Sequence, residues 1–181
     1  MFKNIFKHCS AKGSMNKIQA YLSGETISSN SSEAYSLNAK SFFGEKKEDK
    51  IVYSPSEALF LLEKKKMEVF SKNKKIEPRE LENVFRRLDK DIQMKYPVFK
   101  ELREKGYIVK TALKFGAEFR VYDKGIKPGQ DHARWIIYPV KESDSLTWHD
   151  FSAKNRVAHS TKKNLLIAIV DDENDVTYYE I

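Results

Sequence analysis

A phenol and an imidazole lie ten positions apart in this sequence, at Tyr122 and His132. Residues 106–122 have the character of one long strand. From Leu113 onward, apolar and polar side chains alternate, which predicts that Tyr122 lies on the polar face at the end of that strand. Residues 123–131 include two glycines and a proline, which favour turns over a continued strand. We therefore expect this loop to return His132 toward Tyr122, as a candidate acid/base pair.

Such a pair suits metal-free cleavage of RNA, in which the 2′-hydroxyl of the substrate is the nucleophile. The protein then supplies a base, an acid and a positive charge for the phosphorane. Histidine suits the acid, because its reference pKa is about 6.5. Tyrosine, with a reference pKa of about 10, needs a nearby cation to favour the phenolate. Lys163 is a candidate for the positive charge.

Each of these residues also has an ordinary structural explanation. A tyrosine at a strand end is commonly an amphipathic edge residue, and a histidine at a strand start is commonly a surface or capping group. The chain contains four histidines and many lysines, so the pattern does not select among them. By itself it predicts a basic α/β protein and leaves RNA binding open.

Metal-dependent catalysis is the alternative chemistry. A two-metal site needs several convergent carboxylates. The polar face of the predicted strand offers Glu118, which an ion pair with Arg120 or with a neighbouring strand would explain equally well. Asp123 and Asp131 bracket the loop without a recognisable ligand motif. We therefore expect neither a metal nor another cofactor, and a nuclease that uses Glu118 and an aspartate stays the competing interpretation.

The composition indicates a folded protein with an acidic partner. The chain has 181 residues, a net charge of +7 and a pI near 9.3, which favours nucleic acid first and a membrane surface second, although a lysine-rich solvated surface has the same charge. Cys9 is the only cysteine, so an intrachain disulfide and a cysteine-based zinc cluster are excluded, and a reducing cytoplasm is expected. The longest apolar run has six residues, which is too short to span a membrane.

Local patterns predict two domains: an α+β N-terminal domain in residues 1–85 and a C-terminal α/β domain, with a central mixed sheet flanked by helices, in residues 86–181. Residues 1–15 are either native or tag-derived. A hairpin is expected in residues 17–28, and Ser54 with Glu57 predicts a helix that starts with a capping box. A helix from Pro78 is expected to break at Pro97, and a third helix to end at Gly106. Thr147 is expected to cap a helix that runs to about residue 160.

The C-terminal half resembles the archaeal tRNA-splicing (tRNA-intron) endonucleases. The matching segments occur in one order: GYIVKT (106–111), KFGAEFRVY (114–122), His132, RVAHS (156–160), Lys163, and the ending from VDD (170–172) to TYY (177–179). Residues 37–44 and 54–70 match more loosely. The resemblance implies that Tyr122, His132 and Lys163 form a catalytic triad. It assigns Tyr122 as the general base, His132 as the general acid and Lys163 as the group that stabilises the developing charge.

The resemblance also implies a substrate and an assembly. The substrate would be precursor tRNA with a bulge-helix-bulge at the splice sites, cut without a metal to leave a 2′,3′-cyclic phosphate and a 5′-hydroxyl. Arg156 would clamp a flipped-out base by stacking. The chain would assemble as a homotetramer, or as a heterotetramer with a second subunit, and would dock through an acidic loop. The residues of that loop are Asp171, Asp172, Glu173 and Asp175.

Overall fold

The computed structural model describes residues 16–112 and 116–181, which form two β-sheets and five helices. Residues 1–15, with the question of their origin, lie outside the described ranges, as do Leu113, Lys114 and Phe115. The mixed α/β content confirms the predicted fold class. The division at residues 85 and 86 remains a prediction. None of the helices in the described ranges has both the length and the apolar character that crossing a bilayer requires.

The first sheet is built from residues 18–75. Its strands are β1 (Ile18–Ser23), β2 (Thr26–Ser29), β3 (Glu45–Lys47), β4 (Lys50–Tyr53), β5 (Met67–Ser71) and β6 (Lys74–Lys75). They are arranged in the order β3-β4-β2-β1-β5-β6. β1 and β2 form the predicted antiparallel hairpin, and β1 pairs in parallel with β5.

Two helices belong to this first half, α1 (Ser32–Ser41) and α2 (Pro55–Glu63). The capping box predicted for α2 is present: the Ser54 hydroxyl accepts a hydrogen bond from the Glu57 backbone N–H, and the Glu57 carboxylate accepts one from the Ser54 backbone N–H. Helix α1 was not predicted, because its serines and asparagine have low helix propensity. The hydroxyl of Ser31 caps its N-terminus.

The next two helices are α3 (Pro78–Leu88) and α4 (Ile92–Glu104). The predicted break at Pro97 is wrong, because Pro97 lies inside α4. The chain breaks earlier, at Asp89, which has an extended backbone and whose carboxylate accepts a hydrogen bond from the Asp91 N–H and pairs with Lys95. This local bonding stabilises the break. Helix α4 continues through Pro97, although a proline inside a helix removes one donor and crowds the carbonyl four residues earlier. Gly106 follows α4 with φ +90°, as predicted.

The second sheet lies in the C-terminal half, with the last helix, α5 (Trp148–Ser160). Its strands are β7 (Ile108–Thr111), β8 (Phe119–Tyr122), β9 (Trp135–Lys141), β10 (Asn164–Val170) and β11 (Val176–Glu180), in the order β11-β10-β9-β8-β7. β9 and β10 are parallel and α5 connects them, whereas the other pairs are antiparallel. Ile136 and Leu165 belong to one core cluster with Ala158 of α5, and Ile137 belongs to another with Phe99 of α4.

The single long strand predicted for residues 106–122 is wrong. Residues 108–111 and 119–122 are instead the two strands of an antiparallel hairpin, β7 and β8, in which Ile108 lies opposite Tyr122. Gly116, at φ +69°, adopts the left-handed conformation that a turn requires, and the Ala112 N–H donates to the Glu118 carbonyl. Period-two alternation continues through both strands of a hairpin and does not reveal the reversal.

The two sheets are joined by a core and a buried polar contact. Phe99 of α4 contacts Phe60 of α2 and Phe119 of β8, with ring centroids 6.0 and 5.8 Å apart. Lys110 of β7 donates to the Gly44 carbonyl at 2.7 Å and contacts the Glu57 carboxylate at 3.2 Å. The second sheet is therefore fixed against the first through β7 and β8.

Candidate active site

Tyr122 is the last residue of β8 and is only 5% exposed. Arg120 precedes it by two residues, so both side chains lie on the same face of the strand. This agrees with the prediction that Tyr122 lies on the polar face at a strand end, although the strand is shorter than predicted. Burial holds the phenol in place, because few rotamers fit a packed environment.

The loop between β8 and β9 positions His132. Gly125 and Gly129 have φ values of +85° and +92°, which supply its turns. The Asp131 carboxylate accepts a hydrogen bond from the His132 backbone N–H at 2.6 Å. An ion pair of 3.0 Å between Arg134 and Asp123 closes the base of the loop. His132 is exposed, so a ligand of the cleft can reach it.

Lys163 follows the C-terminus of α5. Lys162 adopts φ +53°, and the Lys163 N–H turns back to donate to the Ala158 carbonyl at 2.9 Å. This arrangement is a common way for a helix to end, because it satisfies carbonyls of the last turn. The Lys163 ammonium donates to the Thr161 carbonyl at 2.8 Å, and its side chain is half-buried. The end of α5 thus determines where this cation lies.

The backbone of Arg134 forms hydrogen bonds to both neighbouring strands, β8 and β10. Its N–H donates to the Val121 carbonyl at 2.9 Å, and its carbonyl accepts from the Asn164 N–H at 2.9 Å. Val121 is adjacent to Tyr122, and Asn164 is adjacent to Lys163. Neighbouring strands lie about 4.8 Å apart. The end of β8 and the start of β10 therefore lie close together, one on each side of the start of β9.

The structure brings the three predicted residues to one cleft. A cavity of about 330 Å³ is lined by Arg120, Tyr122, Gly129, Gln130, Asp131, His132, Ala133 and Lys163. Tyr122, His132 and Lys163 therefore line one cavity. A base, an acid and a cation are what transfer of a phosphoryl centre to a neighbouring hydroxyl requires.

Arg120 lines the same cleft and was not among the predicted site residues. From the sequence, we considered Arg120 only as a neighbour of Glu118 and as an ion-pair partner for it. The available signal was its spacing of two residues from Tyr122, which places both on one strand face. In the structure, Glu118 pairs instead with Lys95 of α4 at 3.0 Å. Burial acts to lower the pKa of Lys95, but its hydrogen bonds to Asp89 and Glu118 raise that pKa above the ordinary value.

The competing metal site gains no support from the geometry of its proposed ligand. The Glu118 carboxylate is engaged with Lys95, and Glu118 does not line the cleft. Asp123 pairs with Arg134, and the Asp131 carboxylate accepts from the His132 backbone. Within residues 16–112 and 116–181, no group of three or more histidine, cysteine, aspartate or glutamate side chains could hold a metal ion.

Two predicted features lie away from the cleft. Arg156 is exposed on α5, seven residues before Lys163, and does not line the cavity. The acidic loop connects β10 to β11, and the Asp171 carboxylate accepts hydrogen bonds from the backbones of Glu173 and Asp175. Lys163 precedes β10 whereas this loop follows it, so about seven strand residues, or roughly 23 Å, separate them. The loop is too distant to take part in chemistry at the cleft.

Comparisons with known proteins show similarity over most of the chain. Residues 92–178 match the sequence model of the tRNA intron endonuclease catalytic C-terminal domain, and residues 18–82 match that of the N-terminal domain of the same family. A tRNA-splicing endonuclease of Pyrococcus abyssi is 41% identical over 91% of this chain and 95% of its own length. Another, from Methanothermobacter thermautotrophicus, is 36% identical over 90% of this chain and 95% of its own length. A third, from Nanoarchaeum equitans, is 43% identical over 65% of this chain and 80% of its own length.

Proposed function

The chain belongs to the tRNA intron endonuclease family and is therefore an endonuclease that excises introns from tRNA; we propose that it does so without a metal, at bulge-helix-bulge splice sites. Cleavage would leave a 2′,3′-cyclic phosphate and a 5′-hydroxyl. The observation that supports this proposal is the convergence of Tyr122, His132 and Lys163 on one cleft.

Each of the three residues has one role in the proposed reaction. The Tyr122 phenolate removes the proton from the 2′-hydroxyl, and the 2′-oxygen forms a bond to the phosphorus. The bond from the phosphorus to the 5′-oxygen breaks, and His132 donates its proton to that oxygen. The ammonium of Lys163 stabilises the negative charge that builds up on the phosphorane. Atoms and protons balance without a further reactant.

The test is cleavage of a bulge-helix-bulge RNA in the presence of a chelator. We expect cleavage with cyclic-phosphate and 5′-hydroxyl ends, identified by mass spectrometry. His132→Ala should lower the rate by about 10² to 10⁴ while RNA binding is largely retained. His149→Ala is the matched control, because His149 lies in the first turn of α5 and does not line the cleft.

The experiment separates this proposal from its competitors. Activity that disappears with the chelator would favour the metal-dependent nuclease. Absence of cleavage both by the chain alone and by the chain with a second subunit would overturn the proposal. The chain would then have a non-catalytic role in the same type of complex.

We propose further that the active form is a tetramer in which the acidic loop of one dimer docks on the other. The supporting observation is four carboxylates on the exposed turn between β10 and β11: Asp171, Asp172, Glu173 and Asp175. Light scattering of the chain expressed alone distinguishes a homotetramer from a species that needs a second subunit. Asp172→Lys with Glu173→Lys should reduce the mass in solution, and an unchanged mass would remove this role from the loop.

A further inference from the structure

Arg120 has a guanidinium group that the rest of the described structure does not use. Its Nε atom is buried and has no hydrogen-bond partner among residues 16–112 and 116–181. An unpartnered buried donor is uncommon in folded proteins. Arg120 as a whole is half-buried and lines the cleft, so a ligand there can meet the exposed part of its guanidinium.

Three other arginines in the described ranges are engaged with protein oxygens. Arg103 donates to the Ser41 carbonyl at 2.8 Å, Arg134 pairs with Asp123 at 3.0 Å, and Arg86 pairs with Glu82 at 2.8 Å. The carboxylate that lines the cleft with Arg120 belongs to Asp131, and it accepts a hydrogen bond from the His132 backbone. Arg120 therefore lines the cleft with the candidate triad and forms no ion pair with the residues that the structure describes.

The position of Arg120 suits a role in the reaction. It precedes Tyr122 by two residues on the same strand face, so their Cα atoms lie about 6.6 Å apart, and both line the cleft with His132 and Lys163. A phosphodiester that reaches the three predicted residues would also come within reach of this long side chain. The Nε atom is buried, which limits the conformations that the guanidinium can adopt before a substrate arrives.

We propose that Arg120 is a further catalytic residue, whose guanidinium binds the non-bridging oxygens of the scissile phosphate. This inference rests on the proposed function. The phosphate carries one negative charge in the substrate and two in the phosphorane, so a fixed cation stabilises the transition state more than the ground state. Arginine stays protonated and can donate two parallel hydrogen bonds to phosphate oxygens. It transfers no proton, and the bonds formed and broken are those described above.

The first experiment measures single-turnover cleavage by Arg120→Gln, Arg120→Lys and Arg120→Ala variants. Removal of one charge-stabilising donor should lower the rate by about 10² to 10³. Lysine should restore only part of it, since it lacks the planar fork. Binding of a 2′-deoxy, non-cleavable RNA should change by less than about tenfold, because one phosphate contact is a small share of the interface. Guanidinium ion added to the solution should accelerate Arg120→Ala but not His132→Ala.

The second experiment does not depend on cleavage. Inorganic phosphate is titrated into the wild-type chain and Arg120→Gln by calorimetry, with Arg86→Gln as the matched control on the surface of α3. We expect Arg120→Gln to weaken phosphate binding at least tenfold and Arg86→Gln to leave it unchanged. A wild-type chain that cleaves no RNA, either alone or with a second subunit, overturns the proposed function, and the phosphate titration still decides the role of Arg120. Equal phosphate affinity in wild type and Arg120→Gln, or an unchanged cleavage rate, overturns the inference.

Discussion

The ammonium of Lys110 lies 3.2 Å from the Glu57 carboxylate, and the two side chains are only 8% and 6% exposed. Lys110 belongs to β7 of the second sheet, and Glu57 belongs to the first turn of α2 in the other half of the chain. Lys110 also donates to the carbonyls of Phe42 and Gly44, while Glu57 accepts from the Gly44 N–H. The position of β7, and through β8 the position of the site, therefore depends on this buried network.

Removing one member of the pair should destabilise the fold strongly. Lys110→Met leaves the Glu57 carboxylate buried without its cation, and we expect a loss of about 3–5 kcal/mol in the free energy of unfolding, measured by urea denaturation. Glu57→Gln keeps hydrogen-bonding capacity and should cost less. The double variant should lose less than the sum of the two single losses.

The chain offers a matched control for this prediction. Lys64 and Glu104 also connect the two halves, at 2.6 Å, but their side chains are 39% and 42% exposed. Lys64→Met should therefore cost less than about 1 kcal/mol. Equal losses for Lys64→Met and Lys110→Met would contradict the importance of burial at the Lys110 pair.

Local chemistry predicted much of this fold correctly. The capping box at Ser54 and Glu57, the glycine after α4 and the Thr147 cap of α5 each depend on a few adjacent residues, which the sequence displays directly. The hairpin at Gly116 was missed because alternation persists on both of its strands. The break at Asp89 was missed because Lys95, which pairs with Asp89, is held in place partly by Glu118, a residue distant in sequence.

Local sequence pattern predicted the site less well than it predicted the fold. The glycines and proline after Tyr122 predicted a loop, and the structure places Tyr122 and His132 on one cleft. Lys163 could not be chosen from many lysines by local pattern, because its position depends on where α5 ends and how β10 pairs with β9. The family resemblance supplied that choice. Arg120 was overlooked because an arginine beside a glutamate in sequence is readily explained as an ion pair.

We expect Tyr122→Phe to lower the single-turnover rate by about 10² to 10⁴, since it removes the base and keeps the ring. Folding should be retained, because the phenyl group fills the same buried volume. The control is Tyr107→Phe, at the position just before β7; the Tyr107 ring packs against Trp135 and does not line the cleft. A Tyr122→Phe variant as active as the Tyr107→Phe variant would exclude Tyr122 as the base.

Arg156 should contribute to RNA binding rather than to the chemical step. Arg156→Ala should weaken binding of a non-cleavable bulge-helix-bulge RNA by about 0.5–2 kcal/mol at fixed salt, through loss of stacking on an unpaired base. Arg156→Lys should recover the charge but not the planar contact.

The design of the RNA can isolate the contact of Arg156 with a base. An RNA with an abasic site in the bulge should bind equally to wild type and Arg156→Ala, because no base remains for stacking. Arg87→Ala, which changes an exposed arginine of α3, controls for general loss of charge. A binding defect that persists with the abasic RNA would contradict base stacking and indicate a phosphate contact.

Glu63 should make the free energy of unfolding depend on pH in the acidic range. A hydrogen bond from Lys100 at 2.5 Å, and then one from Tyr96, lower the pKa of Glu63 below its ordinary value of 4.5. A carboxyl group whose pKa is lower in the folded state stabilises the fold above pH 4.5, and this contribution is lost as the pH falls through the folded value. The difference in urea midpoint between wild type and Glu63→Gln should therefore shrink toward zero in acid. The corresponding difference in the free energy of unfolding should stay under about 1 kcal/mol at neutral pH, because both partners are partly solvated. Lys100→Met removes the largest cause and should flatten the same part of the profile, whereas a Glu63→Gln profile parallel to wild type would show that this carboxylate does not set the acid dependence.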